Sequence, residues 1–155
     1  MIQIVITTKH VLVHGDVCPK NILSSPRRPV FLDTECAFYG DSAFDIAFCL
    51  NHLLLKCLWR TQSCGGFADC YRGLAHTHFA SVDWESPQQV ECRAAHLLSG
   101  LFHARIDGKS RTEYIMREED RRRVRSVATS FLETPTSHLD DIAGTWLERL
   151  AGHTC

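Results

Sequence analysis

The side chains best equipped for chemistry crowd into one stretch, residues 11–47, which reads VLVHGDVCPKNILSSPRRPVFLDTECAFYGDSAFDIA. Asp16 and Asn21 fall in a single loop, Asp33 and Glu35 follow a short apolar run, and Asp41 and Asp45 open the next apolar segment. Carboxylates this dense between apolar runs need partners, because a charge buried alone is costly. A hard cation such as Mg2+ is one such partner. It takes oxygen ligands, commonly one or two carboxylates, with phosphate oxygens and water completing the shell. An Asn carbonyl and an Asp carboxylate on neighbouring strand ends suit that need. A separate Asp, not tied to the metal, can orient a hydroxyl or accept its proton. The plainer reading of each is capping and turn chemistry, which Asp and Asn commonly perform.

The elements that must position these residues change character along the chain. The first third reads as short β elements and the remainder as helix. Residues 11–13, 21–23 and 30–32 are short apolar runs, and Ser24-Ser25-Pro26-Arg27-Arg28-Pro29 between the last two is a turn by composition, so those two runs form a hairpin. From Asp41 the apolar period becomes helical, with Asp41 or Ser42 as the cap of a largely buried helix. Gly65-Gly66 reads as a break before a second helix that ends near residue 78. A third helix starts with Ser86 as N-cap, Pro87 at the first helical position and Gln89 completing a capping box. After an interruption at Gly108, Ser110 with Glu113 predicts another capping box over a short helix. Residues 117–132 follow as a helix with acid-first pairs Glu118–Arg122 and Glu119–Arg123. Its arginines at 121, 122, 123 and 125 read as a solvated face rather than an anion site. A last helix covers about residues 137–150 and turns Trp146 and Leu147 to the core. The fold class is α+β, predominantly α: a small β-hairpin and about five helices in one domain over residues 1–155.

The pattern HGDxxxxN at residues 14–21, followed by LDxExxxxGDxxxDxA at residues 32–47, resembles the aminoglycoside phosphotransferase and choline kinase-like family, relatives of the protein kinases. The run ARIDGKSRTEYI at residues 104–115 looks like the segment that follows a long helix in many bacterial members. The resemblance implies a protein-kinase-like C-lobe, with a catalytic loop over 11–24, a metal-binding strand and loop over 30–45 and a helical body over 42–151. Carried over by position, Asp16 is the catalytic base. Asn21 and Asp33 hold Mg2+ and through it ATP, Asp33 as the principal ligand bridging the phosphates. Glu35 is an auxiliary metal residue, His14 braces the loop, and Asp45 ties the helix back to it. Beside these roles His14 also reads as a satisfied structural histidine, and Glu35 and Asp41 stay open between function and ordinary surface acids. Cys18, Thr34 and Ser42 stand where the family often has His, Trp and Pro, which bears on substrate choice and removes no oxygen ligand. The resemblance also implies an N-terminal lobe that covers the phosphates. Asp16 lies 15 residues after Met1, so that lobe is expected from a longer chain, a separate polypeptide or a mis-assigned start.

Two functions of different class follow. One is a small-molecule kinase that transfers the ATP γ-phosphoryl group to a substrate hydroxyl with Mg2+. The alternative is a truncated, inactive kinase-like remnant or interaction domain, whose bared apolar and acidic inter-lobe surface suits a homodimer or another partner. Composition narrows the field. The 155 residues are 45% hydrophobic and 23% charged with a formal net charge of −1, which argues against a disordered chain and against nucleic-acid binding by bulk charge. The longest uncharged apolar run, residues 46–55, contains Asn51 and His52, so no membrane span is expected. No secretory leader is legible, and a cytoplasmic location is expected. The eight cysteines show no CxxC pair and read as reduced thiols, Cys49, Cys57, Cys70 and Cys92 packing as small hydrophobes; a metal–thiol protein ranks third. His96 and His103 are expected to border the core, and Trp59, Trp84 and Trp146 to pack.

Overall fold

The structure is a computed structural model and describes residues 11–152. Four short strands come first: β1 (Val11–Val13), β2 (Ile22–Leu23), β3 (Val30–Phe31) and β4 (Phe38–Gly40). Five helices follow: α1 (Ala43–Trp59), α2 (Cys64–Ala80), α3 (Pro87–Asp107), α4 (Glu118–Glu133) and α5 (Leu139–Ala151). The architecture is α+β and predominantly α, as the sequence leads one to expect.

The fold is organised around α1, which is buried without a break from Ile46 to Leu55. A helix that is apolar nearly all round belongs at the centre of a body, not on its surface. Helices α2, α3 and α5 pack against it, and α4 packs against α3. Leu50, Leu54, Tyr71, Leu98, Phe102 and Trp146 are fully buried where these helices meet. Each apolar side chain so buried contributes roughly 1.5–3 kcal/mol. The large aromatic rings also satisfy their polar ends: Trp146 Nε1 donates to the Leu54 carbonyl at 2.8 Å, and the Tyr71 hydroxyl donates to the Leu139 carbonyl at 2.9 Å.

The start of α1 is fixed by charge. Asp41 Oδ1 accepts the Ala43 N–H at 3.0 Å, so Asp41, not Ser42, makes the side-chain bond to the first turn. Arg93 of α3 grips the same carboxylate through Nε at 2.8 Å and Nη2 at 3.1 Å, and also reaches Glu85 at 2.8 Å. Burial works against the Arg93 charge, but the bonds to Glu85 and Asp41 outweigh it and push its pKa up. Asp41 is therefore part of a buried ion network that joins the first turn of α1 to α3.

The expected hairpin forms: β2 pairs antiparallel with β3, Ile22 opposite Phe31 and Leu23 opposite Val30. A second antiparallel pair was not expected from the sequence. There β1 meets β4, with Val11 opposite Gly40 and Val13 opposite Phe38.

Several local expectations fail. Gly65 and Gly66 lie inside the first turn of α2, and the break comes earlier, in a 3-10 turn at Thr61–Ser63. Both glycines are exposed, and burial of Ala68 and Tyr71 on the same helix carries their propensity cost of roughly 1 kcal/mol each. Ser86 is the residue before α3, but its hydroxyl turns to Gln88 Oε1 at 2.9 Å and forms no capping box. No helix follows Gly108; residues 110–116 run as a loop held by Thr112, whose N–H and hydroxyl both donate to the Arg105 carbonyl. Glu119 pairs with Arg123, whereas Glu118 is drawn to Arg125, which also holds Asp107. Cys49 and Cys57 are buried, and burial pushes both thiols up to about 12. Cys70 is exposed and Cys92 half-buried, so only two of the four helical cysteines named above are core residues. Trp59 and Trp84 are about half exposed, leaving Trp146 as the core tryptophan.

Candidate active site

The site grows from the tight loop after β1. Val13 is buried and anchors the strand, and Gly15 turns the chain with φ of +83°. A side chain there would run into the Cys36 carbonyl oxygen, so this turn requires glycine on both conformation and space. The two N–H groups at the turn point at one carboxylate on α1. Asp45 Oδ2 accepts from His14 N–H at 2.7 Å and Oδ1 accepts from Gly15 N–H at 3.0 Å. The most buried helix of the fold thereby holds the loop by its backbone.

His14 works in the other direction. Its Nδ1 accepts the Asp16 N–H at 3.3 Å, which leaves Nε2 to donate to the Leu32 carbonyl at 3.0 Å. The Leu32 N–H in turn donates to the Asn21 carbonyl at 2.9 Å. Leu32 is thus held on both sides, and Asp33 follows it directly. Asp33 is exposed and sits in the left-handed region with φ of +65° and ψ of +58°.

Asp16 and Asn21 meet side chain to side chain. Asn21 Nδ2 donates to Asp16 Oδ2 at 2.8 Å and to the Asp16 carbonyl at 3.1 Å. Asn21 is buried, so these bonds fix its amide and direct its carbonyl oxygen away from Asp16. The Asp16 carboxylate stays partly exposed, with Lys20 Nζ at 3.6 Å and Cys18 Sγ at 3.5 Å. Burial, and then the neighbouring Asp16 charge, push the Cys18 thiol up, so Cys18 stays a neutral donor beside the carboxylate. A carboxylate held in one orientation with an open edge can align a hydroxyl and accept its proton.

Of the six residues to which the resemblance gives a role, His14, Asp16, Asn21 and Asp45 join one hydrogen-bonded network, and Asp33 is attached to it through Leu32. Glu35 lies on the exposed turn Thr34–Cys36. Among the described residues no three His, Cys, Asp or Glu side chains gather where they could share a metal ion. The oxygen set on offer is one amide and one or two carboxylates. That set fits Mg2+, which takes few protein ligands and fills its shell with phosphate and water.

Two hollows flank the loop. An apolar one of about 550 Å³ is lined by Leu12, Ile22, Phe31, Ile46 and Leu74, with His14 and Asp45 on its wall. A polar one of about 380 Å³ is lined by Cys18, Lys20, His52, Lys56, Arg105 and Tyr114, among others. The run 104–115 supplies six of the residues lining the second, but their convergence with the loop and mid-α1 was not legible, because these segments meet only in the fold.

Comparison with known proteins bears on the same segment. A family model for the phosphotransferase enzyme family matches residues 5–84, just over half of the chain. The chain belongs to that family. Its helical body with small paired strands is consistent with a kinase-like C-lobe, and the whole hydrogen-bonded network lies inside the matched residues. The chain is also similar to methylthioribose kinases of Bacillus cereus (strain AH820) and Bacillus mycoides (strain KBAB4). Each is 40% identical over 57 residues, a stretch that covers 37% of this chain and 14% of the relative. A methylthioribose kinase of Bacillus thuringiensis (strain Al Hakam) matches to the same extent. Among the described residues, no helix is long and apolar enough to cross a membrane.

Proposed function

We propose that this family member carries the catalytic half of a small-molecule kinase, which transfers the γ-phosphoryl group of ATP to a substrate hydroxyl. The observation that carries the reading is the Asp16–Asn21 side-chain bond, held under the Asp45 clamp inside the segment that matches the phosphotransferases. Asp16 aligns the acceptor hydroxyl and takes its proton as the oxygen bonds to phosphorus and the bond to the ADP oxygen breaks. Asn21 and Asp33 are the residues that would hold Mg2+, with Glu35 available as an auxiliary acid. Bound there, the ion neutralises charge on the phosphates. His14 and Asp45 position the loop and touch no substrate. The setting proposed is the cytoplasm, where ATP is made and thiols stay reduced.

The experiment is calorimetric titration of the purified chain with ATP and Mg2+, beside Asp33→Asn and Asp33→Ala. Magnesium-dependent binding that both substitutions abolish is the expected result. A folded wild-type chain that binds no nucleotide refutes a self-sufficient kinase half.

A second reading rests on the strand side of the molecule. Leu12 is 76% exposed, Tyr39 60% and Phe31 51%, with Leu23 and Phe38 also open. Exposed apolar groups gathered on short strands mark a surface that another body covers. In the kinase reading that body is an N-terminal lobe; in an inactive interaction domain it is a second copy or another partner. Sedimentation of the chain across a concentration series separates a self-associating chain from one that waits for a different partner.

A further inference from the structure

The polar hollow beside the catalytic loop holds four cations, Lys20, Lys56, Arg105 and Arg111, against one carboxylate, Glu113. Arg105 is the centre of the anomaly. Its Nη1 donates to Ser110 Oγ at 2.9 Å and its Nη2 lies 3.3 Å from His52 Nε2, but its Nε is buried with no partner at all. Among the described residues Arg105 makes no ion pair. Arg93 and Arg125 contrast with it, each held by two carboxylates: Arg93 has Asp41 and Glu85, and Arg125 has Asp107 and Glu118. Arg121, which also lacks an ion pair among the described residues, donates its Nε to the Ile115 carbonyl, whereas the Arg105 Nε has no acceptor. A sheltered guanidinium with neutral partners only is costly, and an oxyanion is what its fork of N–H groups fits.

The neighbours agree with that charge. His52 is buried and receives the Arg105 guanidinium on Nε2, so its Nδ1 carries the hydrogen and faces the Tyr114 hydroxyl at 3.5 Å. That arrangement leaves the Tyr114 O–H as a donor able to turn into the hollow. Lys56 Nζ lies 5.3 Å from the Tyr114 ring and 4.9 Å from the Trp59 ring, and pairs with no carboxylate among the described residues. Burial, followed by the Arg105 charge, lowers the His52 pKa to about 4, so His52 remains neutral and competes with no anion for Arg105.

Position links the hollow to the reaction. Cys18 and Lys20 both line it, and both touch the Asp16 carboxylate. An acceptor whose hydroxyl lies at Asp16 therefore extends directly toward Arg105 and Lys56. We infer that this hollow is the acceptor subsite and that it binds an oxyanion, so the acceptor is a small alcohol bearing a phosphate or carboxylate group. The inference deepens the kinase reading and rests on it for the role of Asp16; the oxyanion site itself does not. A nucleotide phosphate has the same chemistry, and the test separates the two sources.

The full 155-residue chain is titrated with inorganic phosphate, and separately with ATP and Mg2+, in wild type, Arg105→Gln, Lys56→Gln and Asp33→Asn. Thermal melts establish that each variant is folded; Lys56 is only half-buried, so Lys56→Gln keeps the test alive if Arg105→Gln does not fold. Phosphate binding that weakens at least tenfold in Arg105→Gln and Lys56→Gln, and is unchanged in Asp33→Asn, is the expected result. Glycerol 3-phosphate then displaces phosphate and glycerol does not. Absence of phosphate binding, or equal binding in the variants, overturns the inference. A loss of ATP binding in Arg105→Gln as large as its loss of phosphate binding assigns the hollow to the nucleotide and overturns the acceptor assignment. Phosphate bound through Arg105 and Lys56 in a chain that binds no ATP refutes the kinase reading and leaves the oxyanion site standing.

Discussion

Replacing Asp45 with alanine removes a single carboxylate that receives two backbone N–H groups, His14 at 2.7 Å and Gly15 at 3.0 Å. A hydrogen bond to a charged group contributes about 1.5–3 kcal/mol net, and a stranded donor costs about 1–3 kcal/mol. Both bonds are part-buried, so water reaches the freed N–H groups and the lower half of each range applies. The loss expected for Asp45→Ala is therefore about 2–4 kcal/mol, a large share of the roughly 5–15 kcal/mol that holds a domain together. Asp45→Asn keeps one oxygen for one N–H but turns an NH2 toward the other, and costs about half as much. Urea unfolding followed by the fluorescence of buried Trp146 measures the global term. Amide exchange at His14 and Gly15 measures the local one, and in Asp45→Ala these two amides speed up more than Leu54 in the middle of α1. If Asp45→Ala lies within about 0.5 kcal/mol of wild type with unchanged exchange at His14 and Gly15, the helix does not hold the loop. The positioning role given to Asp45 then fails.

Three further outcomes are expected. Arg93→Met leaves the fully buried Asp41 carboxylate without its guanidinium and costs about 3–5 kcal/mol, most of which is recovered when Asp41→Asn is added; urea midpoints of the single and double variants check this. His52 has its pKa lowered to about 4 by burial and then by Arg105, with Lys56 and Lys20 acting the same way and Asp16 against them. The unfolded chain takes up the His52 proton near pH 6.5 and the folded chain does not, so stability is complete above that pH and falls by about 3 kcal/mol as pH drops to 4. His52→Gln removes this part of the slope, and an identical pH profile in the variant excludes it. Gly15→Ala forces a Cβ against the Cys36 carbonyl at a φ of +83° and costs about 2 kcal/mol or more, read as a lowered melting temperature.

Much of this molecule was legible in its residues, and what was not has definite physical reasons. The run from Ile46 to Leu55 announced a central helix because apolar side chains filled every face. The β2–β3 hairpin was legible because Pro26 and Pro29 left its turn no regular structure to adopt. Strand β4 was missed because Phe38-Tyr39-Gly40 is three residues long and gains its identity only by pairing with β1. The capping boxes at Ser86 and Ser110 failed because each hydroxyl found a nearer partner, Gln88 in one case and Arg105 in the other. At the site, Asp16, Asn21 and Asp33 stood out by their spacing. Arg93 and His52 did not, since their side-chain partners lie 8 to 62 positions away; Arg105 sits in the run 104–115 that the resemblance marked, but its place beside His52 arises only in the fold.

The backbone at Asp33 has a meaning of its own. With φ of +65° and ψ of +58°, the position accepts few residues: glycine most easily, asparagine and aspartate after it. Codons for both glycine and asparagine lie one base from those for aspartate. A gene drifting without need of its product could therefore shed this carboxylate in a single step, relieving the backbone as it did so. Geometry alone would choose glycine here. If Asp33 holds Mg2+ as proposed, Asp33→Gly relaxes this turn and stabilises the fold while it abolishes magnesium-dependent nucleotide binding.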